Sequence, residues 1–394
     1  MLTTTGWSVA IGSMALIVVG RLLGIFELFL VGAGGAALVV AAAVRVATLR
    51  LRVDVSRELH PARVHAGTPS RVELRVRNRS GLRTPVLTMR DPVGRGRTAR
   101  VVLAPLGRDE TVRAAYRLPT ERRGVLRVGP MSIEVTDPFG IASATVEGAG
   151  ITELTVWPAV DDVLPLPHTT GDDPLGGNDH PNTLTAQGDD FYALRPYVTG
   201  DDLRRVHWKS SARLTEDLMV RQDEMPWQGR ATVILDSRRG SHSDESFERA
   251  VSAAASVILA CARRHFLVRL VTTVGDDSQF GAGATHVEGL LERLSTIELT
   301  EEGRLLSVLA ALRRAGSGGA LVAMMGGRAV ADIPAVQRLR ITHPSMTIVR
   351  FVVGRLDREA PSAGELLVDD DAPFAEVWDA ARRTRQRRQW SVAR

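Results

Sequence analysis

Residues 231–236 read "ATVILD", a short and almost entirely apolar run that ends in a carboxylate. Three runs of the same kind follow along the chain: "LVRLVTT" from Leu267, "ALVAMM" from Ala320 and "MTIVRFVV" from Met346. Such runs are typical of strands that are buried on both faces of a sheet. Helical patterns lie between them, so this part of the chain is predicted to form an α/β domain with a parallel sheet.

The clearest helical pattern lies between the first two runs. It begins near Ser243, with acidic residues in the first turn, and closes at a basic cluster near Arg263, as the helix dipole favours. Its apolar stripe consists of Phe247, Val251, Ala254, Ile258 and Cys261. "THVEGLLERL", "LLSVLAALRR" and "AVQRLR" predict further helices, and a last one begins near Pro373. Cys261 is the only cysteine, so no intrachain disulfide can form, and its position predicts a core residue.

A different pattern precedes the α/β domain. "RVELRVR", residues 71–77, alternates strictly between apolar and charged side chains, and "MSIEV", residues 131–135, repeats the alternation. Turn signals such as "NRSG" and "DPFG" separate these segments, which is typical of an antiparallel sandwich. We predict an immunoglobulin-like β-sandwich over residues 53–157, with a structural role. Residues 158–188 are rich in Asp, Gly and Pro and predict an irregular linker.

Two apolar runs open the chain, from Thr5 to Gly20 and from Leu28 to Val44. Each is close to the length that spans a bilayer, so residues 1–50 are predicted to form a transmembrane helical hairpin. No basic residue precedes Arg21, which argues against a cleaved signal peptide. The second run is followed by Arg45, Arg50, Arg52 and Arg57. The positive-inside tendency therefore predicts a multi-pass protein of the cell membrane with its soluble domains in the cytoplasm.

The charge composition indicates which classes of binding partner are unfavourable. The chain has 50 lysines and arginines against 45 acidic residues, a formal net charge of +5, and the charges are spread along it. No basic stripe interleaved with aromatic residues is present, which argues against nucleic-acid binding. Lys209 is the only lysine. Lysine and arginine differ in shape and hydration, so a single lysine in an arginine-rich chain marks its position as unusual.

Lys209 lies in the most unusual segment of the chain, "DDFYALRPYVTGDDLRRVHWKSSAR", residues 189–213. We call it the signature segment. Its candidate functional residues are Arg195, Tyr197, Gly200, Asp201, Asp202, Arg204, Arg205, His207, Trp208, Lys209 and Arg213. Three interpretations are open: an enzyme site, an internal brace and a docking surface.

As an enzyme site, the segment offers His207 as a base oriented by Asp201 or Asp202, in a hydrolase or a transferase. No nucleophile elbow of the G-x-S-x-G type accompanies them. As a brace, a turn at residues 200–202 would begin a short helix over residues 203–209, with Val206 and Trp208 toward the core and carboxylate–guanidinium pairs outside.

As a docking surface, the segment would expose Tyr197, Trp208 and two arginines, Arg204 and Arg205. Tryptophan and arginine are the residues most enriched in binding hot spots. Such a surface would suit a protein partner.

Several motifs carry a resemblance to a known family: "VRNRS", "RRGVLRVGP", "DPFG", and above all "LRPYVTGDDLRRVHWKSSAR" followed by "LMVRQDE" and "VILD". From Thr5 to about Val353 the chain resembles the domain of unknown function 58 family. The resemblance implies a von Willebrand factor type A-like domain within residues 189–370. The sequence pattern itself predicts a C-terminal helix and a basic tail over residues 371–394. The resemblance also implies a MoxR-type AAA+ ATPase as partner, and it implies no reaction, cofactor or small-molecule substrate.

Von Willebrand A-like domains bind a divalent cation through a D-x-S-x-S motif after the first strand, with a threonine and an aspartate from two further loops. Here the motif begins at Asp236, and Arg238 and Gly240 take the two serine positions. Thr272 and Thr273 could supply the threonine, but "ALVAMM" is followed by no aspartate at the strand end. We therefore expect a degenerate site that holds no metal, in a membrane-anchored, non-enzymatic adaptor or assembly protein.

Overall fold

A computed structural model describes residues 1–48, 51–167, 190–197, 206–212, 218–224, 229–301, 303–316, 319–343, 345–354, 361 and 364–392. The chain divides into two compact units. The first unit contains Met1–Ala159 and Leu291–Thr296, and the second contains Val160–Leu290 and Ile297–Arg394.

The first unit begins with two apolar helices, α1 (Thr4–Leu23) and α2 (Phe26–Thr48). Gly24 ends α1 with a φ of +71°, a left-handed conformation that glycine adopts without steric penalty, and this allows the very short turn between the helices. By length and composition both helices could cross a membrane. The predicted pair of apolar helices is therefore confirmed.

Small residues bring α1 and α2 together. A Cβ atom on Gly32 would lie 2.7 Å from the carbonyl oxygen of Ser13, and one on Gly20 would lie 2.6 Å from the amide nitrogen of Phe29. Glycine at these positions lets the two backbones approach closely, as is common where helices associate in lipid. The large apolar side chains instead point outward, and Trp7, for example, is 60% exposed.

The remainder of the first unit is rich in β-strands. Their bounds are β1 (Val53–His60), β2 (Arg63–His65), β3 (Ser70–Asn78), β4 (Leu87–Val93), β5 (Arg97–Leu103), β6 (Thr111–Leu118), β7 (Gly124–Val128), β8 (Ser132–Thr136), β9 (Ser143–Glu147) and β10 (Thr152–Trp157). One sheet has the order β1-β3-β6. The other has the order β2-β10-β7-β4-β8-β9, with β5 paired to β4.

The alternating segments found in the sequence form strands as predicted. In β3, Val72, Leu74 and Val76 are buried, while the residues between them are partly or fully exposed. In β8, Ile133 and Val135 are buried in the same way. Side chains from both sheets belong to one buried apolar cluster, because a strand with one apolar face must bury that face against another element.

The remaining elements are β11 (Asp190–Pro196), α3 (Trp208–Ser211), β12 (Met219–Glu224), β13 (Arg230–Leu235), α4 (Asp244–Ala262), β14 (Leu267–Thr272), α5 (Ala284–Thr296), α6 (Leu305–Ala315), β15 (Ala320–Gly326), α7 (Ile333–Gln337), β16 (Ser345–Phe351), β17 (Glu365–Val368) and α8 (Phe374–Val392). Five of the strands form a parallel sheet of order β14-β13-β15-β16-β17. The four apolar runs form four of these strands, so the predicted parallel sheet is confirmed. The short edge strand β17 was not predicted.

Helix α4 confirms the clearest helical pattern. Ser243 caps its N-terminus, because the Ser243 side chain accepts a hydrogen bond from the Ser246 amide at 3.2 Å. The whole predicted stripe, including Cys261, is buried. Burial raises the pKa of the Cys261 thiol to about 11, which suits a core residue.

The start of the predicted linker is bound to the last helix. Residues 160–167 have no regular secondary structure, but Val163 and Leu166 are buried. The indole nitrogen of Trp378 in α8 donates to the carbonyl oxygen of Leu164 at 2.7 Å, and the Leu164 amide donates to Asp379 at 2.9 Å. Residues 168–188 of the predicted linker lie outside the described residues.

Candidate functional site

Two groups of residues carry the candidate site: the carboxyl edge of the parallel sheet and the signature segment. Open parallel sheets bind ligands at their carboxyl edges. Asp236 directly follows β13 and is fully buried, and its amide donates to the carbonyl oxygen of Met324 in β15 at 2.9 Å. Thr273 directly follows β14, so the topology brings its side chain to the same edge.

The Asp236 carboxylate is fully engaged. Arg238 donates to it with Nε at 2.9 Å and with Nη2 at 2.8 Å, a two-point pairing that fixes both planar groups. Ser241 donates its hydroxyl to the same carboxylate at 2.5 Å, and Thr273 does so at 3.2 Å. The Ser237 amide, in turn, donates to the Thr273 hydroxyl at 2.9 Å.

A second carboxylate completes the group. Nη2 of Arg238 also lies 2.7 Å from an Asp332 carboxylate oxygen, and the Ser241 hydroxyl lies 3.5 Å away. One cationic nitrogen is therefore surrounded by oxygens from two loops of the chain, the one after β13 and the one after β15. Hard oxygen ligands of this kind are those that Mg²⁺ and Ca²⁺ prefer, and here a guanidinium occupies their centre. We call Asp236, Arg238, Ser241, Thr273 and Asp332 the guanidinium cluster.

The electrostatics follow from this pairing. Burial alone would raise the pKa of Asp236, but hydrogen bonds from Arg238 and Ser241 hold it below its usual value. The same contacts raise the pKa of the Arg238 guanidinium, chiefly through its hydrogen bonds to Asp236. Both side chains are therefore charged at neutral pH.

His242 lies directly beside the guanidinium cluster and is 1% exposed. Its Nδ1 is 3.1 Å from the Ser246 hydroxyl, and its Nε2 is buried with no hydrogen-bond partner among the described residues. Burial, opposed by the charge of Asp236 and assisted by that of Arg238, lowers the pKa of His242 to about 4. The imidazole is therefore neutral at physiological pH.

Sequence reasoning found part of this cluster. It identified Asp236 and Arg238, and it offered two threonines, of which Thr273 binds Asp236 while the Thr272 hydroxyl has no hydrogen-bond partner within the described part of the chain. It noted correctly that no aspartate stands at the end of the "ALVAMM" strand, but the loop beyond that strand supplies one. Asp332 does so from six residues beyond the end of β15, because a turn of 3-10 helix over Ala329–Asp332 folds back toward Arg238. The motif "GGRAVAD" contains that aspartate, which is the signal that could have found it.

The chemistry of the cluster is that of an ion-pair network. Its two carboxylates are held by the guanidinium, and the Ser241 hydroxyl donates to a carboxylate. Across the described residues, no group of three or more His, Cys, Asp and Glu side chains could hold a metal ion. Asp236 and Asp332 would be the natural ligands of a cation at this edge if Arg238 were absent.

The described residues of the signature segment contact strand β12 in the second unit. Strand β11 pairs antiparallel with β12, and the Tyr197 amide donates to the carbonyl oxygen of Leu218 at 2.7 Å. After β11 the chain returns at Val206, which is buried and forms a bridge with Val220. The His207 amide then donates to the carbonyl oxygen of Met219 at 2.8 Å.

The one-turn helix α3 begins at Trp208 and is tied to β12 by Ser211, whose hydroxyl accepts from the Met219 amide at 2.8 Å. Trp208 is 63% exposed and Lys209 is also exposed, whereas Tyr197 and His207 are partly buried. The brace interpretation placed Trp208 toward the core, and that placement is wrong. Only Val206 of its two proposed core residues is buried, since Val206 lies in the bridge to Val220 of β12, whereas Trp208 begins the one-turn helix α3.

Several predicted site residues lie outside the described residues: Gly200, Asp201, Asp202, Arg204, Arg205 and Arg213. Arg195 belongs to β11, where the backbone alone is described. The proposed pairing of His207 with Asp201 or Asp202 thus involves residues beyond the described part of the chain. Among the candidate functional residues of the signature segment, the structure places the side chains of Tyr197, His207, Trp208 and Lys209.

Comparison with known proteins identifies the family. The family described as "Protein of unknown function DUF58" matches residues 193–393, just over half of the chain, including part of the signature segment and the parallel sheet. The chain therefore belongs to the DUF58 family, as its motifs predicted. No curated protein matches it.

Solved structures align with shorter parts of the chain. The CARDB domain of a Pyrococcus furiosus protein aligns at 16% identity and a TM-score of 0.22, covering 28% of this chain and 91% of that one. The putative ApaA protein from Bordetella pertussis aligns at 16% identity and a TM-score of 0.20, covering 27% and 93%. A β-glucosidase from Listeria innocua aligns at 14% identity and a TM-score of 0.17, covering 26% and 16%. Alignments at TM-scores this low support no assignment of fold or function.

Proposed function

We propose that this protein is a membrane-anchored, non-enzymatic adaptor or assembly protein that binds a protein partner through its α/β domain. In this proposal α1 and α2 anchor the chain in the cell membrane, an immunoglobulin-like sandwich over residues 53–157 acts as a spacer, and the soluble domains lie in the cytoplasm. The partner proposed from the family resemblance is a MoxR-type AAA+ ATPase.

The observation that carries the proposal is the exposure of Trp208. A tryptophan that is 63% exposed leaves a large apolar surface in water, which is unfavourable by about 25 cal/mol for each Å². The His207 amide donates to the Met219 carbonyl oxygen and the Ser211 hydroxyl accepts from the Met219 amide, and these two hydrogen bonds fix the short helix that presents Trp208. A rigid, exposed aromatic side chain pays little conformational entropy on binding, and such side chains dominate binding hot spots.

The guanidinium cluster supports a von Willebrand A-like interpretation of the α/β domain. It lies at the carboxyl edge of β13 and collects an aspartate, a threonine and a second aspartate from three loops. In this proposal Arg238 is a built-in cation that replaces the divalent metal. Partner binding would then be independent of divalent cations, and a chelator would leave it unchanged.

The test is partner binding by the full-length protein in lipid nanodiscs, with a purified MoxR-type ATPase as the analyte. Trp208→Ala should weaken binding at least about 30-fold, which corresponds to about 2 kcal/mol for a hot spot. Leu306→Ala is the matched control, because Leu306 is also a large apolar side chain, 68% exposed on α6. Unchanged affinity of the Trp208 variant, with binding that remains specific, would exclude this surface as the docking site.

A further inference from the structure

The turn between β8 and β9 packs against the first turn of α1. The Thr3 hydroxyl donates to the carbonyl oxygen of Gly140 at 2.5 Å, and the Thr3 amide donates to that of Ile141 at 2.9 Å. A Cβ atom on Gly6 would lie only 2.1 Å from the Ile141 carbonyl oxygen, so the turn and the helix are in direct contact. Ile141 and its neighbour Ala142 also form a buried apolar cluster with side chains of α2.

The tip of this turn is apolar and rigidly held. Phe139 is 66% exposed. Its amide donates to an Asp137 carboxylate oxygen at 2.9 Å, and the Ala142 amide donates to the other at 2.6 Å. Gly140 has a φ of +72°, which permits the tight reversal. The side chain of Phe139 is therefore presented outward by a fixed backbone.

The length of α1 sets the depth of this turn. A helix needs about 20 residues to cross a hydrocarbon core of about 30 Å, and α1 has 20 residues. If α1 spans the bilayer, it uses its whole length, and its first turn lies at the boundary of the hydrocarbon core. The β8–β9 turn contacts that first turn, so Phe139 lies at the same level.

A second loop leaves the same end of the β-rich region. Leu87 at the start of β4 is opposite Val135, next to the end of β8. The loop that precedes β4 therefore neighbours the β8–β9 turn. It carries Leu82, which is 80% exposed, between the exposed arginines Arg79 and Arg83.

We propose that this end of the β-rich region docks on the bilayer, with Phe139 and Leu82 inserted into the interfacial layer and Arg79 and Arg83 at the level of the lipid phosphates. Apolar side chains that enter this layer are stabilised by the area they remove from water, and arginines beside them reach the headgroups. The inference rests on the proposed membrane anchoring, since continuity with α1 and α2 is what identifies lipid as the occupant.

The experiment uses nitroxide labels on the full-length protein in vesicles of phosphatidylethanolamine and phosphatidylglycerol. Single cysteines are placed at Phe139 and Leu82 in a Cys261→Ala background. Met14→Cys is the membrane reference, because Met14 is 62% exposed near the middle of α1. Val125→Cys is the matched aqueous control, because it is 46% exposed.

Val125 lies at the opposite end of the β-rich region. Strand β4 runs from Leu87, beside the β8–β9 turn, to Val93, and Val93 is opposite Val128 in β7. Val125 precedes Val128 by three residues on an antiparallel strand, which places it beyond the far end of β4.

Power saturation gives the accessibility of each label to oxygen, which concentrates in lipid, relative to a water-soluble nickel chelate. The inference predicts a ratio several-fold higher at 139 and 82 than at 125, approaching that at 14. A high ratio at 14 with ratios at 139 and 82 equal to that at 125 would overturn this inference while leaving the anchoring intact. A low ratio at 14 would overturn the anchoring and this inference together. Labels at 139 and 82 that reach neither relaxant would indicate a protein contact, which would also overturn it.

Discussion

Replacing Arg238 by serine tests whether its guanidinium occupies the position that a divalent metal ion would otherwise take. The substitution removes the only cation that contacts both carboxylates of the guanidinium cluster within the described residues. It also restores a hydroxyl at the first serine position of the D-x-S-x-S pattern. Two carboxylates and three hydroxyls would then face one empty position.

The expected magnitude follows from burial. The Asp236 side chain is 0% exposed and that of Arg238 is 21% exposed. Removing one partner of a buried ion pair costs about 3–5 kcal/mol, because the other charge is left uncompensated. Mg²⁺ at a concentration about 100 times its dissociation constant would restore about 2.7 kcal/mol of stability by binding to the folded variant. The variant should therefore be strongly destabilised in chelator and substantially recovered in millimolar Mg²⁺.

Hydrogen–deuterium exchange of the β13 amides in the full-length protein measures this local stability. In chelator, Arg238→Ser should speed exchange by roughly 10²- to 10³-fold, since each 1.4 kcal/mol corresponds to about tenfold. Mg²⁺ should slow exchange of the variant and leave the wild type unchanged. Arg239→Ser is the matched control. Arg239 is 50% exposed, its partners Asp244 and Glu301 are largely exposed, and its loss should cost less than about 1 kcal/mol. Equal exchange for the Arg238 variant and the wild type, or protection of the wild type by Mg²⁺, would refute the reasoning.

Two further predictions concern buried charges. Arg57→Leu breaks a 2.7 Å ion pair with Asp91, in which the two side chains are 1% and 2% exposed. The loss should lower the local free energy of unfolding, measured by hydrogen exchange of the β4 amides, by about 3–5 kcal/mol. The double variant Arg57→Leu/Asp91→Asn should recover part of that loss. For His242, the pKa falls from 6.5 to about 4 on folding. Between these two pH values the unfolded chain therefore binds a proton that the folded chain does not bind. Stability of the second unit should be complete above pH 6.5 and fall by up to about 3 kcal/mol as the pH drops to 4. His242→Gln should flatten that profile in pH-dependent thermal unfolding, whereas an unchanged slope would assign the dependence to other groups.

The sequence predicted the parts of the fold that rest on apolar periodicity. The four apolar runs formed neighbouring parallel strands, and the Phe247-to-Cys261 stripe formed the buried face of α4, because burial on both faces or on one face leaves a pattern in the chain itself. Strand β17 left no such pattern. It has only four residues, and its Glu365 pairs with the buried Arg350 of β16 at 3.7 Å, so a charged residue stands where an apolar one would have been expected.

The candidate site was harder to predict, because its members meet only in three dimensions. Asp236 and Arg238 are close in sequence and could be considered together. Asp332 is 94 residues from Arg238 and does not directly follow its strand, so a motif search limited to the strand end missed it. The orientation of Trp208 depended on the bridge between Val206 and Val220, a long-range pairing that helical spacing alone could not predict.

Photocrosslinking at position 208 in native membranes tests the central claim of partner binding most directly. A photoreactive amino acid replaces Trp208 in the full-length protein, and mass spectrometry identifies the crosslinked species. The proposal predicts a specific crosslink to a MoxR-type ATPase, absent when the same amino acid replaces Leu306. Crosslinks confined to the chain itself would contradict it and would make the signature segment an internal contact.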